Sequence, residues 1–191
     1  MLFLPAPSHQ ARFDYLSLPL PKRLLPWLME KRGLSVYVLP AGESWSDRFY
    51  CRQMRTAPYA QLGDGRVMSQ TPHYNISKKA AVIPFSWFYS HLGSYALIHE
   101  VGHALDYLFL GTGTRLSDSP EVGEVLTSRG PLSKYTQEKD GRYGNHAEQF
   151  AEGFEAYFRE PNVGRHNLSI SNLTWEMVDF FRHLITEHFG N

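Results

Sequence analysis

The prevailing spacing of apolar positions changes along this chain near residue 93. Upstream the runs are short. "LSVYVLP" (34–40) alternates in the period of a strand, and "AAVIPF" (80–85) predicts another. "LPKRLLPWLMEKRG" (20–33) predicts a short amphipathic helix closed by Gly33. The stretch 41–79 is rich in Gly, Ser and Pro, and its "LGDGRV" predicts a hairpin turn at Asp64-Gly65 between short strands. Residues 1–19 carry several prolines and predict an extended N-terminal arm over the surface.

From Gly93 the period becomes helical. Ala96, Leu97, Val101, Ala104, Leu105 and Leu108 share one face, with Ser94 placed to cap the start and Gly111 to end the helix. A shorter helix is predicted after Pro120. "HAEQFAEGFEAYF" (146–158) predicts a helix with Asn145 as N-cap and Pro161 beyond its end, and "LTWEMVDFFRHLITEHF" (173–189) a last amphipathic one. Strands first and helices afterwards, within 191 residues, predict a single α+β domain spanning 1–191.

Composition removes several functions. Lys plus Arg and Asp plus Glu number 19 each, and no basic tract stands out to neutralise phosphates, which argues against a nucleic-acid partner. No stretch approaches the ~20 apolar residues that span a bilayer. The N-terminal "MLFLPAPSHQ" lacks the basic flank of a signal peptide. A cytoplasmic protein without membrane association is expected. Cys51 is the only cysteine, so a metal must be held by His, Asp or Glu, and the thiol itself reads as structural.

"HEVGH" supplies such donors. His99 and His103, at i and i+4, project from one helical face about one turn apart, which suits two nitrogen ligands on one Zn2+. Glu100 is rotated off that axis, placed to act as general base on a metal-bound water. The apolar flanks "YALI" and "ALDYL" bury these ionisable groups, which therefore need partners. Gly102 removes bulk between the ligands. Asp106, one turn beyond His103, is placed either to accept the second N–H of a ligand imidazole or to face solvent.

A catalytic zinc site takes three protein ligands and leaves a position open. The extended motif HExxHxxGxxH fails, because Asp106 and Phe109 stand where it has Gly and His. The better source of a third ligand is "HAEQFAEGFEAYF", where Glu148, Glu152 and Glu155 share a side; His146 and Asp118 are the other candidates.

"LIHEVGHALD" followed by "AEQFAEGFEAYF" resembles the gluzincin zinc peptidases related to anthrax lethal factor and the Pro-Pro endopeptidases, over residues 80–160. The resemblance implies a zincin-like α+β fold, with a small upstream sheet packed on the HExxH helix and a mainly helical C-terminal half. It implies His99, His103 and Glu148 as zinc ligands, Glu100 as general base and Glu152 as the carboxylate that orients a ligand histidine. It further implies a tyrosine that stabilises the oxyanion: Tyr135, in "PLSKY", or alternatively Tyr143, neither at the family's spacing from Glu148.

The function expected is therefore a zinc metalloendopeptidase. Its peptide or protein substrate would lie along a sheet edge, for which residues 63–70 and 80–85 are candidates. A regulatory protein partner that shields the site is a further expectation. The alternatives are a zinc-containing binding or structural domain without turnover, and a zinc hydrolase of a non-peptide amide. Trp87, Phe88 and Tyr89 either line the substrate pocket or pack as core between strand and helix.

Overall fold

The computed structural model describes residues 1–128, 132, 145–159 and 173–190. Strand β2 (Ser35–Val38) alternates half-buried and buried side chains, as its sequence predicts. β4 (Ala80–Ile83) pairs with it in parallel, Ser35 to Ala80 through Val38 to Ile83, and is buried at all four residues. The reason is that both faces of the sheet are covered. Ala81 and Ile83 join the main core, while Ala80 and Val82 pack with Leu39, Tyr50 and Met54 on the opposite face.

Tyr50 and Met54 come from a helix that hydropathy does not reveal, α3 (Glu43–Met54). Its buried side includes Ser46 and Asp47, so an apolar stripe is missing from the sequence. Asp47 is held by Ser69 Oγ at 3.0 Å and by the Tyr59 N–H, which fastens the following loop to this helix. In that loop the Asp64-Gly65 turn forms as expected, with the Gly65 N–H on the Leu62 carbonyl and Gly65 at φ 88°.

The sheet order is β1-β2-β4-β3. β1 (Leu2–Phe3) runs parallel to β2, and β3 (His73–Asn75) runs antiparallel to β4 and forms an edge. Two expectations change here. Residues 80–85 do not offer an edge, because β4 is paired on both sides. Residues 63–70 contribute only the hairpin and a 3-10 turn at Met68–Gln70, so the edge beside the long helix is β3.

The N-terminal arm also departs from expectation. Residues 1–19 supply β1 and then a helix, α1 (Gln10–Ser17), whose Phe13 and Leu16 are buried. Two apolar side chains three positions apart suffice to dock one turn of helix, despite the prolines around it. α2 (Leu24–Arg32) ends at Gly33, φ 78°, where a left-handed residue closes the helix.

α4 (Phe85–Phe88) leads into the central helix, α5 (Gly93–Leu108), whose buried residues lie nearly all round it. Such a helix belongs in the middle of a core. It packs on β3, β4, α1, α2 and α4. Ser94 does not cap it: its hydroxyl donates instead to the Leu16 carbonyl at 2.9 Å, tying α5 to α1. α6 (Pro120–Thr127), α7 (His146–Arg159) and α8 (Trp175–Phe189) complete the fold. Asn145 receives the Glu148 N–H at 3.3 Å, and Thr174 caps α8 through Met177. The architecture is α+β. No helix among the described residues is long and apolar enough to cross a membrane.

Candidate metal centre

α5 and α7 come together because Gly102 lies at their contact. A Cβ there would stand 3.0 Å from Ala151 Cα and 3.2 Å from the Phe154 ring. The missing side chain thus makes room for the second helix rather than for an ion between the two histidines. On its far side α7 meets α8 through Gly153, where a Cβ would stand 2.7 Å from Met177 Cε. Phe150 and Phe154, both buried, fix the rotation of α7 so that its acidic side faces the α5 histidines.

That rotation carries Glu148 between the two imidazoles. Its Oε2 lies 3.4 Å from His99 Nε2 and its Oε1 lies 3.4 Å from His103 Nε2. The donor atoms of the three residues all fall within 4.8 Å of one another. Charge-assisted hydrogen bonds are shorter, about 2.7–2.9 Å. Tetrahedral ligands bound at about 2.1 Å stand about 3.4 Å apart. Each imidazole meets a different oxygen of Glu148, so the three groups converge as ion pairs around a space where a metal ion could be held. Two imidazoles and one carboxylate are a donor set for a divalent ion.

The electrostatics agree. Burial alone would lower the His99 pKa, but Glu148 and Glu155 outweigh it and raise it well above the usual value. Burial likewise works to raise Glu148, and His103 and His99 overcome it and hold Glu148 far below the carboxylate range. The same carboxylates that favour a proton on His99 would favour a cation in its place.

Glu100 stands apart from the three. It is 3% exposed, and its Oε2 is buried without a hydrogen-bond partner. Burial raises its pKa against the pull of the two histidines. A buried carboxylate oxygen left unpaired is costly, and such an atom calls for a partner or a role. It lines the same cleft as His99, His103 and Glu148, a cavity of about 870 Å3.

Two supporting residues differ from expectation. The carboxylate on His99 Nδ1 is that of Glu155, at 3.3 Å, in the place predicted for Glu152. Seven residues of helix return to within about 20° of the starting azimuth, whereas four overshoot by about 40°. Glu155 therefore lies more nearly in line with Glu148, and Glu152 lines the cleft. Asp106, fully buried, turns away from the ligands: its oxygens accept the Ser117 N–H at 2.7 Å and the Ser117 hydroxyl at 2.8 Å. Burial raises its pKa and the Ser117 bonds oppose that rise. Its work is to fasten the 3-10 turn Leu116–Asp118 onto α5.

The other candidate ligands are engaged elsewhere. His146 Nδ1 meets the Ser117 carbonyl at 3.1 Å, and Asp118 is clasped by the Arg115 guanidinium, which holds its pKa low. Tyr135 and Tyr143 lie outside the described residues. Of the aromatic cluster, Trp87 lines the cleft, Phe88 is buried in the core and Tyr89 is exposed.

The cleft also includes Tyr95 and Tyr107, which continue the row His99–His103 by four residues in each direction. Their signal, a four-residue repeat of ring side chains along α5, is present in the sequence. Compared with known proteins, the chain matches no family model, no curated protein and no solved structure.

Proposed function

We propose that this chain is a zinc-dependent metallopeptidase of zincin-like fold, with His99, His103 and Glu148 as the metal ligands and Glu100 as the general base. The observation that carries this reading is the unpaired, buried Glu100 Oε2 beside a converged His-His-Glu donor set. A site that only stabilised the fold would use a fourth donor and leave no oxygen idle.

A bound zinc ion supplies Lewis acidity toward a scissile carbonyl and lowers the pKa of a bound water. The chain supplies the rest. Glu155 stands 3.3 Å from His99 Nδ1 and so favours a proton there, which leaves Nε2 as the ligating nitrogen. Glu100, its pKa already raised, takes the water proton at Oε2 and returns it to the leaving nitrogen. The edge of β3, with Pro72 and Tyr74 along the cleft, offers unpaired main-chain groups to an extended peptide.

The test is digestion of a diverse peptide library, read by mass spectrometry. Zinc-loaded wild type should cut, chelation should abolish the cuts and added zinc should restore them. A zinc-loaded wild type that cuts nothing, or cuts that survive complete chelation, would contradict the reading.

A further inference from the structure

A second cavity, of about 1010 Å3, lies between α1, α5, α7 and α8. It meets the metal cleft at Tyr95 and Arg159, which line both. Three of its side chains are large, apolar and open to solvent: Tyr15 at 61% exposure, Leu18 at 73% and Trp175 at 52%. Exposed apolar groups gathered on one recess mark a contact surface, and Tyr, Trp and Arg are the side chains that dominate such contacts.

Among the described residues, the charge on this recess has one sign. Among the described residues that line it are Arg12, Arg159 and Arg182, with no Asp or Glu. Arg12 is held by two neutral acceptors, the carbonyls of Phe88 at 3.1 Å and Ser90 at 2.9 Å, which fix its position and leave its charge uncancelled. Arg159 stacks 4.4 Å over the Tyr95 ring, with Glu155 no nearer than 4.0 Å. Arg182 is paired with Asp179 at 2.6 Å, so its charge is partly offset and Arg12 and Arg159 carry most of the positive character. The whole chain carries no net charge, so this concentration is local.

We propose that this groove docks an acidic, apolar segment of a partner polypeptide. Its size exceeds most small-molecule sites and suits several residues of chain. Its concave form and its opening into the cleft suit a threaded polypeptide and not the flat face of a membrane.

The probe is a short fluorescein-labelled peptide of mixed Glu, Leu and Tyr, compared with its Lys-for-Glu counterpart by fluorescence anisotropy. The full chain carries Glu100→Gln so that the probe is not consumed, and binding is read with and without zinc. The acidic peptide should bind in both conditions and weaken with salt, and the basic one should not bind. Trp175→Ala and Leu18→Asp should each weaken it by about tenfold or more. Trp45→Ala, exposed on α3, should change nothing. Equal binding of both peptides, no binding of either, or unchanged affinity in both groove variants would overturn the proposal. Binding only to vesicles of phosphatidylglycerol and phosphatidylcholine would also overturn it. The digestion experiment can fail without affecting this result.

Discussion

Glu155 Oε2 lies 3.3 Å from His99 Nδ1, while Glu148 Oε2 lies 3.4 Å from Nε2 of the same ring. One helix thus grips both nitrogens of a single imidazole, two turns apart. Removing the outer grip frees the ring and its tautomer without removing a ligand. Glu155→Gln should weaken zinc binding by about 10- to 100-fold, the range for partners that orient a ligand histidine. Glu152→Gln should weaken it less. Competition with a calibrated chelator measures both, and equal losses would return the orienting role to Glu152.

Gly102 sets the distance between α5 and α7. Gly102→Ala gains about 1 kcal/mol in helix propensity. Against that, overpacking on the Ala151 backbone costs about 1–3 kcal/mol, because a main-chain neighbour yields less readily than a flexible side chain. The net should be a loss, larger for Gly102→Val, accompanied by weaker metal binding as Glu148 moves off the histidines. Urea unfolding and a zinc titration on the same samples check both halves. A more stable Gly102→Val would show that the two helices do not pack as described.

Asp106 is a structural anchor. Asp106→Ala leaves the buried Ser117 N–H and hydroxyl unpaired, at about 1–3 kcal/mol for each group. Stability of the metal-free protein should fall by that order. Double replacement with Ser117→Ala should recover part of the loss, since only the backbone N–H then stays unsatisfied. A variant destabilised only when zinc is present would instead make Asp106 part of the metal site.

His73 gives the fold a pH dependence of known sign. Its Nδ1–H donates to the Thr71 carbonyl at 2.9 Å, so Nε2 is the acceptor for the Tyr50 hydroxyl at 3.0 Å. Burial lowers its pKa below 6.5. As pH falls through about 6.5 the unfolded chain takes up a proton that the folded one refuses, and stability drops by up to about 1.4 kcal/mol per pH unit until the folded pKa is reached. His99 in the metal-free protein acts in the opposite direction, so the informative quantity is the difference between wild type and His73→Gln. Urea unfolding between neutral and mildly acidic pH should give the variant a flatter loss on acidification. Parallel curves would contradict the assignment.

What the sequence makes legible is what repeats with a helical or strand period. β2, β4, α2, α5, α7 and α8 are readable from apolar spacing and cap residues, and His99, Glu100 and His103 from a five-residue motif. α3 is not, because Ser46 and Asp47 occupy its buried side and satisfy one another's surroundings through the loop at Ser69. The edge strand is not, because three residues carry no period. Glu148 is nominated by the sequence among three glutamates, and the choice between Glu152 and Glu155 depends on how α7 is rotated. That rotation is fixed by the buried Phe150 and Phe154, and Gly102 and Gly153 let the neighbouring helices approach.

The separation of roles between Glu148 and Glu100 carries the whole functional reading, and one paired measurement on Glu100→Gln addresses it. Zinc content and peptide cleavage would be determined on the same preparation, beside wild type. The prediction is one zinc per chain in both proteins, with cleavage in the variant reduced by about 10²–10⁴-fold, the span of general-base catalysis. A variant that loses its zinc would make Glu100 a ligand, and one that keeps zinc and full cleavage would remove it from the chemistry.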